Sequence, residues 1–556
     1  MSAPFYRLPS RVSNLSRTRI RTLAASLYFM DARLPRGNIS QWWNAIGGPR
    51  EVLHVAWPMM LSTGLFSLTL FVDRTLLYYY SDEAAAGAMG AGTIFWAFTC
   101  VPVTLFGYTS TFVAQYVGVG RADRAMRVVI QGFLLALLSG PLVISCAWCS
   151  HWFFAAFHGS QLAQIETQYF QSIALGAWAT ILSAPLAGLF NGTGRTRVLL
   201  GIDIVVTTLN IALDFLLIFG LYGFPRMGIV GAGLATSISL VTKLMLMLVA
   251  AGTLRWDRSS GAAVDQRATS NGGLIKTSRF EPMELATGSE NAGNLSPCSR
   301  EEPTANAAPL TAPSGEDNGV TLFSEPLRLE FRLATRLLYF GWPAAISSLA
   351  ESVSFSIIMM LVGQLGARAM AATTLGLNVN LIAFIPMFGL GMAVGVLVGQ
   401  RLTAKEPEIA RRTVRSGLCI GGFYSGCFAI AYGIFPDWVL AIYSFGGDPD
   451  RFADLRPDVL PILWFIAAYC VFDAFQIVFV GALKGAGDTN YVLIGNVLSG
   501  VITVSLGKIL GDIFNGGLLW WWGVITLWVL SMSVLFAIRY LHGGWMEKRV
   551  IEPELL

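Results

Sequence analysis

Five carboxylates stand inside long apolar runs: Asp73, Asp203, Asp214, Glu351 and Asp473. A charged carboxylate at the centre of a bilayer costs about 2.5–3.5 kcal/mol on the insertion scale, so five would cost on the order of 12–18 kcal/mol. Chains keep such groups where they face a partner or a cavity, and a carboxyl that exchanges its proton there can carry it. Asn210-x-x-x-Asp214 is an i, i+4 pair, which puts an amide and a carboxylate on one helix face. The pair offers oxygen ligands to a hard cation or a hydrogen-bonding frame to a proton. Tyr469-x-x-x-Asp473 repeats the spacing with a phenol. Asp214 and Glu351 read as working groups. Asp203, close to one end of its run, reads as structural polar glue.

The elements that carry these acids must be membrane helices. Of 556 residues, 13% are charged and 54% hydrophobic, against roughly 25% charged in a soluble domain. A soluble enzyme, a disordered chain and a disulfide scaffold are excluded on that ground. A net charge of +4 is too small for nucleic-acid binding. Twelve apolar stretches are long enough to span. They lie near 52–77, 88–116, 125–149, 164–190, 197–219, 228–253, 333–362, 369–399, 412–435, 459–483, 490–511 and 518–541. The predicted fold class is therefore an all-α polytopic membrane protein.

The expected organisation is a basic extension at 1–50, a six-helix lobe at 51–254, a disordered linker at 255–330, a second lobe at 331–543 and a tail at 544–556. The extension holds eight Arg, which suits anionic lipid. The linker concentrates eleven acidic and seven basic residues. One set of loops carries Arg121, Arg124, Arg195, Arg401, Lys405, Arg411 and Lys484, and the opposite set is poor in Lys and Arg. The richer set is expected in the cytoplasm. An even helix count then puts both termini and the linker there, in the inner (plasma) membrane.

The two halves repeat. Trp57-Pro58 recurs as Trp342-Pro343, and Gln115 as Gln400, both at an offset of 285. Gly188 and Gly192 recur as Gly481 and Gly485 at 293, with the extra residues expected in a long loop around 445–461. Six helices per repeat give two parallel-repeat lobes facing a central cavity. The acids do not follow this symmetry: Asp73 maps to Ile358, Asp214 to Gly507, Glu351 to Phe66 and Asp473 to Thr180. A purely architectural role should recur in both halves more often.

Several segments, in order, resemble the multidrug and toxic compound extrusion (MATE) family, most closely its NorM-type branch. They are Phe71-Val-Asp73, Ala114-Gln-Tyr-Val-Gly118, Asn191-Gly-Thr-Gly-Arg-Thr196, Asn210-Ile-Ala-Leu-Asp214, Gly231-Ala-Gly-Leu-Ala-Thr236, Leu349-Ala-Glu-Ser-Val353 and Tyr469-Cys-Val-Phe-Asp473. The resemblance implies two six-helix lobes around a V-shaped cavity. It also implies exchange of organic cations or lipophilic drugs for Na+ or H+. By it, Asp73, Asn210, Asp214 and Thr236 match a cation or proton site in the N-terminal lobe. Glu351, Tyr469 and Asp473 match one in the C-terminal lobe, and Na+ is implied at either set. Arg74, the run Tyr78–Asp82 and the long linker depart from the family pattern.

The function expected is a secondary active efflux antiporter, a monomer without organic cofactor, driven by Na+ or H+. Trp96, Phe98, Phe384 and Phe388 are candidate liners for flat cations. The alternative is a flippase for a lipid-linked saccharide or precursor, which needs buried Lys or Arg for phosphate. The basic residues lie mainly in loops; Lys243 and Lys508 are the exceptions, away from the motifs. An intramembrane enzyme is not expected, because no Ser–His arrangement or His-rich cluster is present.

Overall fold

The computed structural model describes residues 39–157, 160–253, 256–257, 319–320, 328–444 and 449–555. Most of the expected extension and linker lie outside the described residues. Among the described residues, twelve helical stretches are long and apolar enough to cross a membrane. They match the twelve expected runs to within a few residues at most ends.

The first half comprises α1 (Ile39–Asn44), α2 (Pro49–Tyr80), α3 (Asp82–Gly107), α4 (Thr109–Gly118), α5 (Ala122–Leu138), α6 (Gly140–Phe157), α7 (Ser160–Gly192), α8 (Thr196–Phe219) and α9 (Ile229–Thr253). The second comprises α10 (Phe331–Gly363), α11 (Ala367–Thr403), α12 (Pro407–Ile434), α13 (Pro436–Ser444), α14 (Pro449–Ala486), α15 (Thr489–Phe514) and α16 (Leu518–His542). Two short strands, β1 (Trp256–Asp257) and β2 (Gly319–Val320), pair antiparallel and join the two ends of the linker. Pro49 opens α2, where its missing N–H costs nothing. Ser81 ends α2 and caps α3 by accepting from the Ala84 N–H at 3.0 Å, so the run Tyr78–Asp82 is a tight joint between helices.

Two expectations about loops are corrected. Residues 449–461 form the start of α14 rather than a loop, because apolar positions such as Val459 are buried in the second lobe. Lys484 lies in the last turn of α14, not in a loop.

The lobes meet at the end that carries Arg121, Arg195, Lys405 and Arg411, called here the basic end. There each lobe's first helix lends its near half to the other lobe. Val52, Ala56 and Met59 of α2 are buried in the core of the second lobe. Leu337 and Ala344 of α10, the repeat mates of Val52 and Met59, are buried in the core of the first. Gln115 donates to the Gly485 and Ala486 carbonyls at 3.0 and 3.3 Å. Its repeat mate Gln400 donates to the Gly192 carbonyl at 2.9 Å. Since Gly192 and Gly485 are themselves repeat mates, the two bonds are one bond drawn twice about a pseudo-two-fold axis. From this closed end the two six-helix lobes diverge around a V-shaped central cavity.

Within the second lobe, α11 and α14 touch through glycine. A Cβ added at Gly481 or Gly485 would fall against the carbonyl of Gly391 or Gly395, and one at Gly395 would lie 2.7 Å from the Gly481 carbonyl. Small residues four apart allow this approach, which is how membrane helices pack when lipid and side chain are equally apolar.

Candidate functional site

In the first lobe α2 and α8 run side by side and share a ladder of polar pairs. Ser62 donates to Asp203, and Thr69 donates to Thr207 at 3.3 Å. Further along the ladder stand Asp73 on α2 and Asn210 and Asp214 on α8. The buried face of α8 recurs at Asp203, Thr207, Asn210, Asp214 and Leu217, a three-to-four spacing that aims all of them inward.

The structure brings Asp73 and Asp214 into the same electrostatic neighbourhood, with Tyr169 of α7 within range of both. The Tyr169 hydroxyl donates to Asp73 Oδ2 at 3.5 Å. Asp214 is fully buried, Asn210 is 2% exposed and Asp73 5% exposed. Yet Asp73 Oδ1, Asn210 Oδ1 and Nδ2, and both Asp214 oxygens have no hydrogen-bond partner among the described residues. Buried polar atoms are ordinarily paired, and a carboxylate left without a partner in an apolar interior is strongly unfavourable. Two such carboxylates within electrostatic range of each other are stabilised by a proton or a cation. The four oxygens among these atoms suit a hard cation. Thr236, on α9, is half-buried and has no hydrogen bond among the described residues.

Asp203 falls out of this group. Lys243 of α9 pairs with it at 2.7 Å, and Ser62 donates to its other oxygen. The expected glue role therefore has a partner, and Lys243 does not stand apart from the candidate acids. The repeat supplies a second argument. Asn496 is the repeat mate of Asp203 and Ser347 that of Ser62, and Asn496 donates to the Ser347 hydroxyl at 3.0 Å. The same pair of positions thus joins the first and fifth helices of each lobe.

In the second lobe Glu351 of α10 accepts from Asn496 Nδ2 at 3.2 Å. Asp473 of α14 is within electrostatic range of Glu351, and so is the Lys484 ammonium. The Tyr469 phenol accepts from Asn380 of α11 at 3.3 Å rather than pairing with Asp473. Glu351 therefore differs from Asp214: it has an amide donor, and a lysine side chain within electrostatic range.

Reading the sequence missed Tyr169, Asn380, Asn496 and Lys484. For Asn496 the signal was present, since the 293 offset carries Asp203 onto it. Tyr169 had none; its mate is Ile462, and only packing brings its hydroxyl to Asp73. Among the candidate liners, Phe384 and Phe388 pack edge to face at 4.9 Å, while Trp96 is half exposed. Phe98 packs against the first lobe's core.

Comparison with known proteins agrees with this arrangement. The family model MatE matches residues 58–216 and 343–509, one block per lobe. A probable multidrug resistance protein NorM from Bradyrhizobium diazoefficiens is 26% identical over 445 residues, covering 80% of this chain and 82% of its own. The multidrug resistance protein PmpM of Pseudomonas aeruginosa is 29% identical over 455 residues, covering 80% of each. The chain also superposes on a solved outward-facing conformation of a multidrug resistance MATE family transporter. That match has a TM-score of 0.70 and 15% identity, covering 91% of this chain and 98% of the other. Both halves of the repeat, the twelve spanning stretches and the order of the motifs lead to one assignment: the chain belongs to the MatE family of multi-pass membrane transporters and is similar to NorM-type relatives.

Proposed function

We propose that this protein is a secondary active antiporter of the plasma membrane that exports organic cations or lipophilic drugs in exchange for Na+ or H+. The observation that carries the reading is the cluster of unpartnered buried oxygens on Asp73, Asn210 and Asp214. A cation or proton bound there neutralises the two carboxylates, and its release restores their repulsion. Cation entry down its gradient would thus bias the lobes between two arrangements, and one charge crossing 100 mV is worth about 2.3 kcal/mol. Thr236 would complete the first-lobe set. Glu351, Tyr469 and Asp473 form a second set, with the Lys484 side chain within electrostatic range of Glu351. The exposed aromatic surface of Trp96 and Phe388 would take flat cationic substrates by apolar burial and cation–π contact. The relatives' names support drug export.

The basic loops support a cytoplasmic position for the basic end and for both termini. The chain would act as a monomer, since each lobe has its own core and the cavity lies between lobes of one chain.

The flippase reading is weaker on a specific ground. Such a carrier needs unpaired cations for phosphate, whereas Lys243 is tied to Asp203, Lys508 to Asp512 at 2.5 Å, and Lys484 faces Glu351.

Proteoliposomes loaded with a fluorescent organic cation test the proposal under imposed Na+ or H+ gradients. Movement driven by one gradient and lost in Asp214→Asn is expected, and the effective ion names the driver. No movement under either gradient would overturn the antiporter reading and direct attention to lipid-linked substrates.

A further inference from the structure

The last residues of the chain are not a free tail. Gly543 ends α16 with φ of 79°, a left-handed turn that sends the chain back under the basic end. Trp545 is fully buried in the core of the second lobe. It stacks on Tyr540 at 5.4 Å and donates to the Tyr540 carbonyl at 2.9 Å. Arg549 donates to the Leu402 carbonyl of α11 at 2.9 Å. The chain then crosses to the first lobe. Val550 and Ile551, 0% and 1% exposed, belong to the core that contains Phe112, Val113 and Tyr116.

Polar bonds hold the crossing. The Val550 N–H donates to Gln115 Oε1 at 2.9 Å, and its carbonyl accepts from Arg336 Nη2 at 2.6 Å. The Tyr116 hydroxyl donates to Glu552 at 2.8 Å. Gln115 is the residue whose Nε2 already bonds Gly485 and Ala486 across the interface. Both ends of its amide are therefore engaged, one by the opposite lobe and one by the chain terminus. Among the described residues the side chain of its repeat mate Gln400 bonds only the Gly192 carbonyl.

We propose that residues 544–555 form an interlobe strap, anchored by Trp545 in one lobe and by Val550 and Ile551 in the other, that holds the basic end closed and must leave the first lobe before that end can open. The inference rests on the proposed alternation between two lobe arrangements. The strap biases that alternation toward the closed basic end, and anything that displaces it favours the opposite state. It engages Gln115 in addition to that residue's interlobe bonds, and among the described residues no such contact is made to Gln400.

Hydrogen–deuterium exchange on the full-length protein reads the strap without reference to transport. In Val550→Ala/Ile551→Ala, amides of α4 and of the basic ends of α10 and α11 should exchange at least tenfold faster. The halves of the helices remote from that end should be unchanged, which separates release from misfolding. Unchanged exchange at the basic end would overturn the proposal. A second arm links Tyr116→Cys to Glu552→Cys with a reducible bifunctional thiol reagent, with each single variant as a control. Linked protein should lose gradient-driven export and regain it on reduction; export at the unlinked rate would also overturn the strap. If the wild type exports nothing, the antiporter reading fails while the exchange arm still decides the strap.

Discussion

Asp203 and Asp214 lie eleven residues apart on one helix face and have opposite roles, decided by what packs against each. Asp203 has an ammonium at 2.7 Å and a hydroxyl donor; Asp214 has neither. Removing the charge of Asp214 should therefore leave stability intact, because no partner is stranded. We expect Asp214→Asn to lower gradient-driven export at least tenfold with no fall in thermal midpoint, measured by flux and by a melting curve in detergent. Asp203→Ala should do the reverse. It strands Lys243, at a cost of about 1–3 kcal/mol once the partial exposure of the ammonium is allowed for. Export per folded molecule should persist. Asp203→Asn with Lys243→Met should recover most of that loss, since the second lobe already runs on Asn496 and Ser347 at the same positions. A double-mutant cycle on thermal stability checks the coupling.

Helices set the spacing that these residues need. The ladder between α2 and α8 has its counterpart between α10 and α15, where Ser354, the mate of Thr69, meets Gly500, the mate of Thr207. A glycine at 500 leaves room for the Ser354 hydroxyl, so the backbone crossing is kept while the polar pair is not. The α11–α14 contact is stricter. Gly481→Val would drive a side chain into the Gly391 carbonyl, an overpacking cost of about 3 kcal/mol or loss of the folded lobe. The yield of monodisperse protein from size-exclusion chromatography reads this. By contrast Gly92, whose Cβ would meet nothing within 4 Å, should accept Ala with no change in yield.

At the scale of the whole molecule, the lobes are bonded to each other at the basic end. Two repeat-related glutamines bridge the lobes, and among the described residues Gln115 alone of the two also bonds residues 544–555. Gln115→Ala should therefore loosen that end more than Gln400→Ala, seen as a larger rise in amide exchange at the tips of α4 and α11. Equal effects would mean that the two bonds alone set the closure. The proposed cytoplasmic placement of the same end is checked by labelling. Arg197→Cys should react with an impermeant maleimide only in inverted vesicles, and the native cysteines are controlled for by the parent chain.

Motif offsets made the two repeats legible, and composition and apolar run length by themselves determined that the chain lives in a membrane and holds twelve spanning stretches. These follow from local physics, because a bilayer forces every spanning segment to be long, apolar and helical. The candidate acids were legible for the same reason: a carboxylate in hydrocarbon needs a purpose wherever it occurs. Partnership was not legible. Which acid meets an ammonium, that Tyr169 reaches Asp73, that Lys484 lies inside a helix within range of Glu351, and that residues 544–555 thread between the lobes depend on contacts between separate elements, from 40 to 435 residues apart. Those contacts are made by packing, which brings together side chains that no spacing along the chain relates.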